Sequence, residues 1–159
     1  MGMLRRIFPK QFDNCYAGHK LGLAIFVAVM LARAMQGLNS VVLTRRTMAS
    51  ADGIPIDRYD IDAASAAISL FAQRGMYLLV IPIIGAIALV RYRSMIPLLY
   101  LMLLITQLGG RTLGYLYPIT REAEYAGHTF GFYVNLGILA LTVAGLLLSV
   151  AGRQDRRVA

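Results

Sequence analysis

The sequence contains little of what soluble catalytic domains and disulfide-stabilised domains are built from. Its 159 residues include one cysteine, two histidines and no tryptophan, and only 15% are charged, against roughly a quarter in ordinary soluble domains. The single cysteine, Cys15, excludes a disulfide within the chain and a thiolate metal cluster, and we interpret it as an inert thiol. The scarcity of charge leaves too little polar surface for a soluble fold.

Motifs with recognisable chemistry are also missing. The chain has no HExxH zinc motif, no nucleophile elbow, no Walker loop and no CxxC pair. Asp57, Asp60 and Asp62 stand close together, but their spacing departs from that of an EF-hand calcium loop, and Asp60 or Asp62 suits the N-cap of a following helix. We therefore predict that the protein is not an enzyme and has no catalytic residue, no metal site and no cofactor.

Four long apolar segments dominate what is present. Hydrophobic residues make up 58% of the chain, and the mean hydropathy is +0.62. The segments cover residues 21–38, 68–90, 95–113 and 130–150. Each approaches the roughly 20 residues that a helix needs to cross a bilayer. We predict an all-α integral membrane protein in which residues 1–159 form one domain, a four-transmembrane-helix bundle, with a cytoplasmic or interfacial segment at 1–20 and a longer outer loop at 39–67.

The charged residues predict how these helices are oriented. The net charge is +8, and basic residues collect before the first apolar segment, between the second and third, and after the fourth. They are Arg5, Arg6, Lys10, Lys20, Arg91, Arg93, Arg153, Arg156 and Arg157. Because basic loops tend to stay on the cytoplasmic side, we expect a multi-pass protein of the cell inner membrane with both termini cytoplasmic. This pattern explains the positive charge without a nucleic-acid partner, and we expect none.

Polar residues inside the apolar segments form the candidate site. At about 1.5 Å per residue they lie about 18–24 Å from the inner ends of a hydrocarbon core about 30 Å thick. These residues are Arg33, Gln36, Arg74, Gln107, Arg111 and Asn135. Since arginine stays protonated and is a poor acid or base, a convergent layer of these side chains favours binding of an anion or other ligand over catalysis. The alternative, that each arginine separately reaches the outer headgroups, stays open.

The three arginines of this layer need counter-charges. No aspartate or glutamate falls inside the predicted spans, which also argues against proton-coupled transport. The negative charge would come from another subunit, from a bound anion or from loop acids. The loop acids in question are Asp57, Asp60, Asp62, Glu122 and Glu124.

Glycines four residues apart indicate where helices approach one another. In lipid, small residues let backbones come close, and this close packing drives helix association. Such pairs are Gly18 with Gly22, Gly110 with Gly114, and Gly127 with Gly131.

Two stretches carry a resemblance to a known family. The sequence FAQRG at residues 71–75 opens the second apolar segment, and QLGGRTLG at residues 107–114 closes the third. With these stretches, the last two-thirds of the chain resembles small bacterial four-helix membrane proteins of the DoxX-like group and their uncharacterised relatives. The basic N-terminal segment and the long first loop depart from that group. The resemblance implies a four-helix bundle and brings no agreed activity.

Two functions fit these observations. The first is a non-catalytic accessory or scaffold subunit of a larger inner-membrane complex. Such a subunit would contact other membrane-protein subunits or anionic lipid through its helix faces and basic cytoplasmic ends. The alternative is a membrane binding or transport protein for an anionic or amphiphilic small molecule, held at the outer-leaflet Arg/Gln site.

Overall fold

The computed structural model describes residues 6–119, 121 and 129–151 of the chain. These residues form helices joined by turns and short loops, and none of them lies in a strand. The helices are α1 (Lys20–Val42), α2 (Thr44–Ser50), α3 (Ile61–Arg91), α4 (Ile96–Leu116) and α5 (Phe130–Val150), with short 3-10 helices at Ile56–Arg58 and Arg93–Met95. Several residues named above lie outside the described residues: Arg5, Glu122, Glu124, Gly127, Arg153, Arg156 and Arg157.

Four helices are long and apolar enough to cross a membrane. They are Lys20–Val42, Ile61–Arg91, Arg93–Leu116 and Phe130–Val150. The shortest has 21 residues, which at about 1.5 Å per residue matches a hydrocarbon core of about 30 Å. The predicted all-helical architecture, with four helices of spanning length and composition, is therefore confirmed for the described part of the chain.

Side chains at the helix starts explain where the long helices begin. The Asp60 carboxylate accepts a hydrogen bond of 2.7 Å from the amide of Ala63, so the predicted N-cap of α3 is confirmed. Thr129 caps α5 in the same way. Pro97 lies in the first turn of α4, where its missing N–H leaves no helical bond unmade. Capping by Asp60 starts α3 at Ile61, ahead of the apolar segment predicted from residue 68.

One end of the bundle holds the start of α1, the connection between α3 and α4, and the end of α5; we call it the inner end and the opposite one the outer end. Residues preceding α1 fasten these parts together. The Asp13 amide donates to the Ser94 hydroxyl at 2.9 Å, and that hydroxyl donates back to the Asp13 carbonyl at 3.0 Å. The His19 amide donates to the Leu148 carbonyl at 3.1 Å. The segment before α1 thus lies across the inner end.

The inner half of the bundle is closely packed around Tyr100 of α4. Its ring is fully buried and meets Phe26 of α1 edge to face at 5.2 Å between ring centroids. The Tyr100 hydroxyl donates a 2.7 Å hydrogen bond to the carbonyl of Gly22. Gly145 of α5 makes room for this ring, because a Cβ there would collide with the Tyr100 phenol. One tyrosine therefore joins three helices.

The outer loop folds back onto α3. Met48, Ile54, Ile56 and Phe71 are buried together and form a small apolar cluster at the outer end. Gly53 has a φ of 67°, a backbone conformation that residues with side chains rarely adopt. This turn at Gly53 reverses the chain so that it re-enters the cluster, and the residues just before the turn lie next to Arg74 of α3 and the start of α5.

Candidate functional site

Three of the six predicted site residues are joined by hydrogen bonds, and we call them the Arg33 cluster. Arg33 of α1 is only 8% exposed. Its Nη1 donates to Gln36 Oε1 at 2.9 Å, one turn along the same helix, and to Asn135 Oδ1 of α5 at 3.3 Å. Gln36 Nε2 also reaches Asn135 Oδ1 at 3.5 Å, and Asn135 Nδ2 donates to the Gly131 carbonyl at 2.8 Å. The Arg33 guanidinium is thus held by neutral amide oxygens.

Close packing of α1 against α3 brings a fourth predicted residue near this cluster. Gly37 and Gly75 face each other where the two helices approach most closely, and a Cβ on Gly75 would lie 2.8 Å from the Ser40 Cβ. Arg74, beside Gly75, is connected to this cluster through the outer loop, because its partner Asp52 adjoins Ala51, whose carbonyl bonds the Gly131 amide one turn from Asn135. Unlike Arg33, Arg74 is exposed, and its guanidinium stacks on the Phe71 ring at 5.3 Å.

Asp52 in the outer loop supplies the negative charge nearest to this group. Its carboxylate lies 3.5 Å from Arg74 Nη1, and its main-chain carbonyl accepts a 3.2 Å hydrogen bond from Arg121 Nε. The neighbouring Ala51 carbonyl accepts from the Gly131 amide at 3.3 Å, which ties this loop to the start of α5. Asp52 therefore contacts two guanidiniums, that of Arg74 through its carboxylate and that of Arg121 through its main-chain carbonyl.

Two of the loop acids that were predicted to balance the arginines have other partners in the structure. Asp57 forms an exposed ion pair with Arg45 at 2.7 Å, and Asp60 caps α3. Asp52 takes the role that was expected of them, because the turn at Gly53 carries it to Arg74. Sequence reasoning missed Asp52, since nothing local to it indicates which helix the folded loop contacts.

The remaining two predicted residues lie on α4 and contact α5 at other residues, Thr142 and Phe132. Gln107 is 9% exposed, and its Nε2 donates to the Thr142 hydroxyl at 2.9 Å. Its Oε1 is buried and finds no partner within the described ranges. Arg111 stacks over the Phe132 ring at 5.4 Å, and its buried Nη2 likewise has no partner there. Thr142, which the sequence reasoning also missed, is fully buried.

The six predicted residues therefore form two groups that share only helix α5. Arg33, Gln36 and Asn135 are hydrogen-bonded between α1 and α5, with Arg74 nearby, whereas Gln107 and Arg111 face α5 from α4. The sequence predicts how deep each polar residue lies along its helix. It does not predict which helices bring these residues into contact.

The outer half of α4 is the least packed part of the bundle. Side chains from Leu108 onward are mostly exposed, and a Cβ on Gly109, Gly110 or Gly114 would meet nothing within 4 Å. By contrast, the predicted pair Gly18 and Gly22 lies at a close contact, because a Cβ on either residue would press against Tyr16 and α5. We call residues 107–114 the α4 outer face; its glycines contact no other described part of the chain.

The chemistry of both groups is that of binding. Arginine and carboxamide side chains donate and accept hydrogen bonds but do not exchange protons near neutral pH. Among the residues that the structure covers, no three histidine, cysteine, aspartate or glutamate side chains come together as metal ligands would. No protein-family model, no curated protein and no solved structure matches the chain, and the resemblance to the DoxX-like group stays a prediction.

Proposed function

We propose that the protein is a non-catalytic accessory subunit that docks a helix of another membrane protein onto its α4 outer face. The observation that carries this proposal is the open surface around Gly110 and Gly114. Lipid tails give helices no hydrophobic reason to associate, so close backbone contact at small residues is a main source of affinity. A face of this kind that no described part of the chain covers is available to a partner.

Two polar atoms that are buried between α4 and α5, next to this surface, support a helix with its own polar groups as the partner. Gln107 Oε1 and Arg111 Nη2 are buried without partners in the described structure, and an unpaired charge inside a membrane is costly. A carboxylate of the partner at the level of Arg111 would accept a hydrogen bond from its guanidinium and balance its charge. A second copy of the chain could not offer one from its spans, because residues 20–42, 63–121 and 130–150 contain no aspartate or glutamate. The partner is therefore a different protein whose spanning helix carries small residues and an acid.

The exposure of large apolar side chains does not by itself support this proposal. Leu70 and Ile83 on α3 and Leu147 on α5 are also exposed, as expected of any residue that faces lipid. What distinguishes the α4 outer face is the combination of glycines with buried polar atoms that lack partners.

The proposal is tested by purifying the full chain from its own membranes in mild detergent and measuring the mass of the intact particle. We expect the wild type to carry a second protein in a fixed ratio. The G110L/G114L double variant should lose that protein, because leucine side chains would keep the partner helix away. Gly137→Leu on α5 is the matched control, since a Cβ there also meets nothing within 4 Å.

Retention of the partner by Gly137→Leu and its loss from G110L/G114L would support docking at α4. A wild-type chain that runs alone, or equal partner content in all three proteins, would contradict it.

A further inference from the structure

The Arg33 cluster has spare hydrogen-bonding capacity that the accessory role does not use. Arg33 makes both of its hydrogen bonds through Nη1. The other guanidinium nitrogens, Nε and Nη2, donate to no protein group in the described part of the chain. Neither nitrogen is among the fully buried unpaired atoms, so an oxygen from outside the described residues can reach them, and leaving these donors unused inside a bilayer is costly.

The charge balance around the cluster indicates that this acceptor is anionic. Among the described residues, Asp52 is the carboxylate that contacts an arginine of this group, through its ion pair with Arg74, so Arg33 and Arg74 carry one more positive charge than the described residues neutralise. Both arginines are connected to the start of α5, Arg33 through Asn135 and Arg74 through the loop at Asp52, and like charges repel more strongly where the surroundings are less polar than water. An oxyanion between Arg33 and Arg74 would relieve the repulsion and engage their remaining donors.

The depth of the cluster indicates where the anion comes from. Asn135 lies one helical turn, about 5–6 Å, inside Gly131, which bonds the outer loop. Arg74 is exposed at the same end and reaches the loop residue Asp52. The two arginines thus extend from the headgroup level to about one turn below it. Lipid phosphates are the oxyanions present at that level in any bilayer.

We propose that Arg33 and Arg74 together bind the phosphate group of an anionic phospholipid in the outer leaflet. The planar guanidinium matches the oxygen atoms of a phosphate and can engage two of them at once. Gln36 and Asn135 position the Arg33 guanidinium by holding Nη1. Asp52 holds Arg74 from the loop side, so that its guanidinium stays next to the site. This binding site is separate from the α4 outer face, so either proposal can fail without the other.

The test uses the full chain in detergent, with bound lipid counted by native mass spectrometry. The probes are phosphatidylglycerol, which carries a net negative charge, phosphatidylcholine, which does not, and inorganic phosphate. We expect one phosphatidylglycerol to bind at least tenfold more tightly than phosphatidylcholine. Millimolar inorganic phosphate should not displace it, because free phosphate lacks the lipid tails that lie against the helices.

Two variants of the site and one control locate the binding. Arg74→Gln should weaken phosphatidylglycerol binding about tenfold, the size expected for loss of one charge-assisted hydrogen bond. Because Arg74 is exposed, this variant should fold even if changes at Arg33 prevent folding. Arg33→Lys keeps the charge but loses the planar donor pair, and should also weaken binding. Arg45→Gln removes an exposed outer-end arginine that pairs with Asp57, and should leave binding unchanged.

Three outcomes would overturn the proposal. The first is equal binding of the two lipids by the wild type. The second is an equal effect of Arg74→Gln and Arg45→Gln. The third is displacement of phosphatidylglycerol by inorganic phosphate, which would assign the site to a free anion. If the lipids bind equally and an E122Q/E124Q variant has a lower Tm, those two loop acids supply the counter-charge instead.

Discussion

The inner and outer halves of the bundle are built differently. In the inner half, Tyr100 fills a space that Gly145 leaves for it, and its hydroxyl satisfies the Gly22 carbonyl. In the outer half, Gln107 and Arg111 keep buried polar atoms without partners in the described structure, and the glycines of α4 face open space. The polar groups of the inner half named above thus find hydrogen-bond partners within the bundle. The outer half has polar groups for which no described residue is a partner, and for that reason both proposed contacts lie there.

The two halves should differ most in how their stability responds when a glycine gains a single methyl group. Gly145→Ala would push a Cβ into the Tyr100 phenol, and overpacking of this kind costs about 1–3 kcal/mol. Gly110→Ala adds the same group to open space on α4 and should leave the free energy of unfolding unchanged or slightly higher. Thermal unfolding of the purified chain in detergent measures both. Equal losses of Tm would contradict the contrast between the two halves.

A smaller effect is expected where the two halves meet, at the hydrogen bond between Gln107 and Thr142. Thr142→Val keeps the shape of the side chain but removes the hydroxyl that accepts from Gln107 Nε2. The buried amide would then lack partners at both ends, which costs about 1–3 kcal/mol, toward the low end if the amide rotates. Thr142→Ser retains the hydroxyl and is the control. If Val and Ser substitutions lower Tm equally, packing and not the hydrogen bond holds Gln107.

The smallest effect concerns Tyr16, which precedes α1 at the inner end. Its hydroxyl is buried with no partner in the described ranges, and burial raises the pKa of this phenol from 10.0 to about 12. The folded protein therefore holds this proton more tightly than the unfolded chain does. The contribution to stability is complete below pH 10 and is lost as the pH rises toward 12.

Tyr16→Phe should consequently leave Tm nearly unchanged at pH 7, because no hydrogen bond is lost. Between pH 10 and pH 12 the variant should lose less Tm than the wild type, since phenylalanine has no proton to release. Unfolding curves of the two proteins across this pH range make the comparison. Parallel loss of Tm in both would show that Tyr16 is not the group that titrates.

The sequence predicted those features that depend on one segment at a time. Length and hydropathy predicted four helices long enough to span a bilayer, and local spacing predicted the Asp60 cap. Depth along a helix is also local, which is why the sequence alone could predict that the polar residues of the spans lie at similar levels.

Contacts between segments were harder to predict for a physical reason. A helix that faces lipid on one side and protein on the other is apolar on both, so its sequence does not reveal the buried face. Gly37, Gly75 and Gly145 are in close contact with neighbouring helices, yet none belonged to a predicted pair, whereas Gly110 and Gly114 did and contact nothing described. Asp52 and Thr142 were missed in the same way, because their partners are distant in sequence. Membrane identity and the side of the termini stay predictions.

The central claim, that the α4 outer face binds a helix of another protein, is tested most directly by photo-crosslinking in intact membranes. A diazirine-bearing leucine analogue would replace Leu113 on α4 or, as the control, Leu136 on α5; both side chains are exposed toward the outer end. We predict a protein adduct of one defined mass from position 113 and only lipid adducts from position 136. Lipid adducts alone from both positions, or the same protein adduct from both, would contradict the claim.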